Sequence, residues 1–160
     1  MKCLLLACLL AIPALAFAPD QAPPDGFEHW TAAKIKETTA ELKQKSTSDP
    51  NHVASTKLVE FPNDLFMLAH READGKPELH ETQADVFFVE SGKATLVVGG
   101  KLEGAETVSP HEKRNGTILG GAKVALAAGD VVRIPAGVPH QLLLNGASEF
   151  TYFVVKVKGY

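Results

Sequence analysis

The sequence has very little cysteine, with only Cys3 and Cys8 among its 160 residues. Both cysteines lie in the apolar segment that opens the chain. The rest of the protein therefore has no disulfide, no thiolate metal ligand and no cysteine nucleophile. Its stability must come from packing alone.

The chain also has no excess of positive charge. Its 16 lysines and arginines and its 19 aspartates and glutamates give a formal net charge of -3. Without a basic face, nucleic acids and anionic membrane surfaces are poor candidate partners. Apolar residues make up 45% of the chain and charged residues 22%, as is ordinary for a globular protein. The length predicts one domain that is large enough to bury a core.

A single long apolar run stands at residues 3–15, and only Pro13 interrupts it. Lys2 precedes the run, and the small residues of Ala14-Leu15-Ala16 follow it. This pattern is typical of a secretory signal peptide that is cleaved before Phe17. We therefore predict a leader over residues 1–16, a secreted or periplasmic mature protein, and no membrane attachment after cleavage.

Three alternatives to this leader stay open. Cleavage after Ala18 would leave Pro19 at the new N-terminus, which is unfavourable. An uncleaved membrane anchor would need about 20 apolar residues to span a bilayer, and the run is shorter than that. A lipoprotein would be attached through Cys8 of the Leu5-Leu6-Ala7-Cys8 sequence, but little apolar sequence precedes that cysteine.

An N-terminal arm and a helix are predicted over residues 17–53. The helix is expected from Phe27 to about Lys45, because Phe27, Trp30, Ala33 and Leu42 fall near one face. We interpret this helix as a cap that packs on the domain that follows.

Residues 54–160 are predicted to form a closed, all-β barrel domain. Short apolar segments alternate with turn residues, among them Ser91-Gly92, which is typical of an antiparallel sandwich or barrel. Residues 101–121 are predicted to form a loop or irregular hairpin. The predicted strands are Ala54–Glu60, Leu65–Arg71, Glu78–Thr82, Asp85–Glu90, Ala94–Val98, Lys123–Ala127, Val131–Ile134, His140–Asn145 and Phe150–Val157.

The first segment with candidate chemistry runs from residue 75 to residue 92. Glu78 and His80 are two positions apart in a strand, so their side chains share a face. Asp85 shares a face of the next strand with Phe87 and Val89. If both faces point inward, the carboxylates and the imidazole converge among apolar side chains. A buried carboxylate must be paired or bound to a cation, so this convergence favours a metal site or a proton-sharing network.

The second segment runs from residue 129 to residue 145. Gly129 and Asp130 predict a turn, and a strand and a second turn at residues 135–137 follow. His140 then opens a new strand, with Leu142 on the same face. The tight turn would hold the backbone of His140 rigidly, as a ligand position requires.

Together the two segments resemble the paired motifs of the cupin superfamily. In the second segment, the family's spacing of glycine, proline, glycine and histidine is matched by Gly129, Pro135, Gly137 and His140. In the first segment, His80 matches the second histidine of the family and Gly92 matches the closing glycine. The likeness covers roughly residues 65–157.

The resemblance implies a cupin-type jelly-roll β-barrel, often a homodimer, that holds a divalent metal and a small-molecule ligand. The implied metal ligands are Glu78, His80, Asp85 and His140. Here Glu78 stands where the family has a histidine, and Asp85 stands where it has a glutamate. Iron, manganese, nickel and zinc all suit such a set. Asp85 is alternatively a partner of His80, and another register would make His80 and Thr82 the ligands.

The other histidines are predicted to lie outside the metal site. His70 shares a face with Phe66 and Leu68 and is interpreted as an edge histidine, with a position at the pocket as the alternative. His29, His52 and His111 are interpreted as surface residues.

Three functional hypotheses follow. The first is an exported metal-binding cupin that binds or converts a small molecule inside the barrel. The second is a binding module for a sugar-like ligand without an essential metal. The third is a structural protein that acts through dimerisation. A fold alone does not distinguish an enzyme from a binding module.

Overall fold

The computed structural model describes residues 21–160. The predicted leader, with Cys3 and Cys8, lies outside the described residues. Within them, one helix precedes a domain of antiparallel strands, as the sequence predicts. No helix of this part is long and apolar enough to cross a membrane.

The helix α1 runs from Ala32 to Ser48. It begins five positions later than predicted, because Thr31 is extended and its side chain accepts a hydrogen bond from the backbone N–H of Lys34 at 3.2 Å. Its buried residues are Thr38, Leu42 and Ser46, which are spaced one turn apart. Phe27, which the prediction placed on the buried face, is 58% exposed. The helix does pack on the sheet, against the first two strands, Val53–Glu60 and Asp64–Arg71.

Twelve strands are present in the described residues, and every pairing between them is antiparallel. Their bounds are β1 Val53–Glu60, β2 Asp64–Arg71, β3 Glu78–His80, β4 Gln83–Val98, β5 Lys101–Glu103, β6 Glu106–Ser109, β7 Glu112–Arg114, β8 Thr117–Leu119, β9 Ala122–Ala127, β10 Val131–Ile134, β11 His140–Leu143 and β12 Phe150–Lys158.

Strand β4 belongs to both halves of the domain. Its first half pairs with β12 and β10, and β12 continues through β2 to β1. Its second half pairs with β9 and β11, and β11 continues through β3 and β7 to β6. One long strand thus joins two sheets that curl around a common core.

The core lies between these two sheets. Phe87 and Tyr152 come from the first sheet, and Leu96, Leu126 and Leu142 come from the second. Each of these side chains is at most 5% exposed. Alternating burial is clear in β4, where Phe87 and Val89 are buried and Phe88 is exposed, and in β11.

The predicted turn at Ser91-Gly92 is wrong. Residues 83–98 form one strand of 16 residues instead of two shorter ones. The pairing with β12 shifts register where Thr151 lies opposite Ser91 and Tyr152 lies opposite Val89. This is a β-bulge: an extra residue bends the strand without reversing it. Gly92 suits either structure, because its φ of 84° is one that glycine adopts in a turn or in a bulge.

The region from 101 to 121, predicted as a loop or irregular hairpin, consists of four short strands. β5 pairs with β8, and β6 pairs with β7. β7 also pairs with β3, so part of this region is a continuation of the sheet. That pairing carries Glu112 and Arg114 toward the interior.

Substitution of Gly92 tests the bulge. A Cβ at this position would overlap the carbonyl oxygen of Glu149, in addition to requiring a left-handed backbone. We expect Gly92→Ala to lower the free energy of unfolding by about 3 kcal/mol. Urea titration followed by circular dichroism measures this loss.

Gly120→Ala is the matched control. Gly120 also has a positive φ, 75°, but no atom lies within 4 Å of its added Cβ. Its expected cost is therefore only that of the left-handed conformation, about 1 kcal/mol. Equal losses in the two variants would contradict the steric role of the bulge.

Candidate metal centre

Three potential ligands meet inside the domain, at the point where β3 and β11 pair. His140 lies directly opposite Glu78 in this pairing, and His80 shares the face of Glu78 two residues on. One ligand atom from each of the three side chains lies within 4.8 Å of the others. The two imidazole ring centroids are 5.3 Å apart, and the side chains are 2% (His80) and 5% (His140) exposed.

His140 is oriented by its own turn. Its Nδ1 lies 3.1 Å from the carbonyl oxygen of Val138. A carbonyl only accepts hydrogen bonds, so Nδ1 carries the hydrogen and the lone pair is on Nε2. Burial is the main cause that lowers the pKa of His140, which keeps the ring neutral near pH 7. Nε2 is therefore available as a metal ligand.

His80 is held in the same way by a carboxylate. Its Nδ1 donates to Oε2 of Glu112 at 2.5 Å, so Nε2 faces the pocket. Nε2 lies 2.9 Å from Nζ of Lys156 and 3.3 Å from Oδ2 of Asp85. A carboxylate that holds a histidine is the usual outer support of a metal-binding imidazole.

The protonation of His80 depends on burial and on neighbours of opposite charge. Burial lowers the pKa of His80, but the carboxylates of Asp85 and Glu112 outweigh it and raise the pKa above its usual value. The 2.9 Å contact with Lys156 is a hydrogen bond only when Nε2 is unprotonated, because a protonated ring would face a second donor. The contact with Lys156 thus stabilises the neutral ring, whereas the contacts with Asp85 and Glu112 stabilise the protonated ring.

Asp85 is the fourth predicted ligand. Its carboxylate is 3% exposed, and its Oδ2 lies 3.3 Å from Nε2 of His80 and 3.7 Å from Nε2 of His140. It also receives two hydrogen bonds from Nζ of Lys156, at 2.8 and 3.1 Å. Burial alone would raise the pKa of Asp85, but His80 and Lys156 outweigh burial and lower it to about 2. Asp85 is therefore an ionised neighbour of both histidines, in contact with Lys156, and lies outside the group of Glu78, His80 and His140.

Glu78 is ionised as well. Burial raises its pKa, but Arg114, His140 and Arg71 outweigh burial, so the net shift is downward. Nη1 of Arg114 lies 2.8 Å from Oε2 of Glu78, and Nη2 of Arg71 lies 3.5 Å from Oε1. The two guanidinium groups hold the carboxylate beside His80, whose Nε2 is 3.6 Å from Oε2.

A pocket of about 170 Å³ opens beside these groups. Met67, Phe87 and Val154 form part of its apolar wall. Tyr152 belongs to the core and also lines the pocket, and its hydroxyl accepts a hydrogen bond from Nε of Arg71 at 3.1 Å. A small molecule in this pocket would contact both the apolar wall and the charged groups.

Four charged residues of the centre were missed from the sequence: Arg71, Glu112, Arg114 and Lys156. Lys156 follows Tyr152 and Val154 at every second position, so alternation alone could have placed it inward. Glu112 and Arg114 alternate in the same way, but their segment was interpreted as a loop. Arg71 ends a strand, where its burial depends on contacts that are distant in sequence.

The prediction that His70 is an edge histidine is wrong. Its side chain is fully buried, because β2 lies between β1 and β12 and is covered by α1. Residues 67, 69 and 71 of β2 line the pocket, so His70 faces the opposite side. There its Nδ1 lies 2.8 Å from the hydroxyl of Thr151. The three histidines predicted at the surface, His29, His52 and His111, are exposed.

The arrangement fits a divalent metal. Two imidazoles are fixed at Nδ1 with Nε2 toward the pocket, and an ionised carboxylate lies beside them. Two nitrogens and an oxygen suit zinc, iron, manganese or nickel.

Comparison with known proteins supports the fold. No protein-family model matches the sequence, and no curated protein matches it. Among solved structures, that of TT1209 from Thermus thermophilus is similar with a TM-score of 0.50 at 20% identity, over 69% of this chain and 87% of that chain. The Cnp3 cupin domain of Schizosaccharomyces pombe is similar with a TM-score of 0.50 at 12% identity, over 66% of this chain and 64% of that chain. This chain therefore shares the antiparallel β fold of these two proteins, one of which is a cupin domain.

Proposed function

We propose that this protein is an exported cupin that binds a divalent metal through Glu78, His80 and His140 and a small molecule in the adjoining pocket. One observation carries the proposal: the ligand atoms of these three side chains lie within 4.8 Å of one another. The hydrogen bonds at the two Nδ1 atoms support it, because they direct both Nε2 lone pairs to the same place. A bound divalent ion would supply Lewis-acid chemistry to a ligand beside it.

The residues around the centre have distinct roles in this proposal. Glu112 and the carbonyl of Val138 fix the tautomers of His80 and His140. Arg114 and Arg71 keep Glu78 ionised and in place. The apolar wall restricts water, which strengthens the electrostatic interactions inside the pocket.

Substitution of either histidine tests the metal centre. We expect His80→Ala and His140→Ala each to weaken zinc binding by about 100-fold or more, because each removes one of three ligands. Zinc content after dialysis, measured by mass spectrometry, and competition with a chromophoric chelator both report the loss.

His111→Ala is the control for this experiment. His111 is 61% exposed and contacts only Glu81 at the surface, so zinc binding should not change. If zinc, iron, manganese and nickel all fail to bind the unaltered protein, there is no metal centre.

The alternative function is a binding module without an essential metal. The ammonium of Lys156 favours it, because this group already provides a cation to Asp85 and a donor to His80. Such a module would be stabilised by its ligand in the presence of a chelator and would form no product.

Export is part of the proposal, and the signal-peptide pattern of residues 1–16 supports it. We expect the full chain, expressed in a bacterium with a periplasm, to be recovered from that compartment with Phe17 as its first residue. Osmotic-shock fractionation and intact mass measurement test this. Recovery of the uncleaved chain from the membrane fraction would contradict it and support the anchor.

The partner we propose besides the small molecule is a second copy of the chain. Phe88 and Val131 lie opposite each other on the outer face of β4 and β10, and they are 41% and 57% exposed. Two such apolar patches would cover each other in a symmetric dimer.

A charged substitution tests the dimer. We expect Val131→Asp to convert dimer to monomer in sedimentation velocity at micromolar concentration, because it would bury a carboxylate in the interface. Val108→Asp is the control, since Val108 is 51% exposed on β6 and lies away from this face. A monomeric unaltered protein would contradict the proposal.

A further inference from the structure

Lys156 contacts Nε2 of His80, the atom through which His80 would bind a metal. It is directly opposite Asp85 in the pairing of β12 with β4, and its side chain is 14% exposed. Its Nζ is 2.9 Å from Nε2 of His80 and 2.8 Å from Oδ1 of Asp85. The ammonium therefore contacts the same nitrogen that the metal centre requires.

His80 cannot serve Lys156 and a metal at once. Its Nδ1 carries the hydrogen that it donates to Glu112, so Nε2 has the only free lone pair of the ring. That lone pair either accepts a hydrogen bond from Lys156 or coordinates an ion at about 2.0–2.1 Å. The two states of the site are mutually exclusive at this atom.

Lys156 also neutralises a buried carboxylate. Asp85 is 3% exposed, and an ionised carboxylate at such a site is costly without a cation beside it. The neighbouring lysine of the same strand is different: Nζ of Lys158 bonds Glu60 at 2.7 Å, where both side chains are more accessible. Lys156 is thus a cation placed inside the pocket, while Lys158 forms an ordinary outer ion pair.

We propose that the Lys156 ammonium is the resident cation of this centre, the positive charge that occupies it while no metal is bound. Its hydrogen bond to Nε2 of His80 is lost when a divalent ion binds. This inference rests on the metal centre proposed above and adds that Lys156 competes with the metal for Nε2 of His80. While no ion is bound, Lys156 stabilises the folded barrel. When an ion binds, the lost contact between Lys156 and His80 subtracts from the metal affinity.

Only ions that bind imidazole strongly overcome this competition. An ion must bind well enough to offset the hydrogen bond that it replaces, so copper, nickel or zinc would compete better than manganese. The lost contact is the same for every ion, so Lys156 lowers all metal affinities by the same factor and leaves their order unchanged.

Lys156→Met tests the exchange, with Lys158→Met as the matched control on the same strand. We expect Lys156→Met to tighten zinc binding by about 10- to 100-fold, the equivalent of one hydrogen bond to a charged group. The same variant should lower the thermal midpoint of the metal-free protein. Lys158→Met should leave zinc binding unchanged. A residue that only supports the fold would not move the two readouts in opposite directions.

Amine labelling tests the exchange in the unaltered protein, so the test does not depend on the folding of a variant. Acetylation of each lysine is measured by peptide mass mapping with and without zinc. We expect zinc to increase the acetylation of Lys156, because its amine loses the hydrogen bond to His80. The acetylation of Lys158 should stay the same.

The outcomes separate this inference from the metal centre. If zinc binds the unaltered protein, but Lys156→Met does not change the zinc affinity and zinc does not change the acetylation of Lys156, the metal centre stands and the exchange is wrong. If only Lys156→Met binds zinc, Lys156 is the resident cation and the native protein is not a zinc protein. If neither the unaltered protein nor Lys156→Met binds zinc, iron, manganese or nickel, both proposals are wrong.

Discussion

The interior of this barrel contains ionised groups, and each must meet an opposite charge or a hydrogen-bond donor because little water reaches it. Asp85 is paired with Lys156, and Glu78 is held between Arg71 and Arg114. Breaking one such pair would leave a buried charge without compensation, which costs far more than a surface ion pair contributes. The positions of the strands are therefore constrained by charge as well as by apolar packing.

Strand register is what satisfies this constraint. Lys156 stands opposite Asp85 across one pair of strands, and His140 stands opposite Glu78 across another. β3 and β7 add a third pairing, in which Glu78 faces Arg114 and His80 faces Glu112. A shift of one residue in any of these pairings would turn the charged side chains to the other face. The same register thus sets both the balance of charge and the direction of the imidazoles.

Particular residues show how much of the fold and of the site could be predicted from the sequence. His140 was placed correctly because its motif is local: the glycines and the proline before it form the turn that presents it. Glu78, His80 and Asp85 were placed inward because alternation along a strand is also local. The turn predicted at Ser91-Gly92 was wrong because a glycine with positive φ suits a turn and a bulge equally. Whether the strand reverses there depends on β12, which follows much later in the chain.

His70 shows a second limit of local reasoning. Alternation identified its face correctly, but its burial depends on the helix α1 that covers β2 and on Thr151 of a distant strand. Lys156 shows the same limit in the site itself, because its partners Asp85 and His80 are 71 and 76 positions away in the chain.

The sequence by itself determined the all-β class, the N-terminal helix, the two motifs and which residues of a strand share a face. These features follow from the spacing of neighbouring residues, which fixes backbone conformation and the direction of side chains. Only the tertiary structure decided that Lys156 contacts His80, that Glu112 and Arg114 belong to the centre, and that β4 is continuous. Such facts depend on which strands become neighbours and in what register, and pairing energy between distant segments sets that choice.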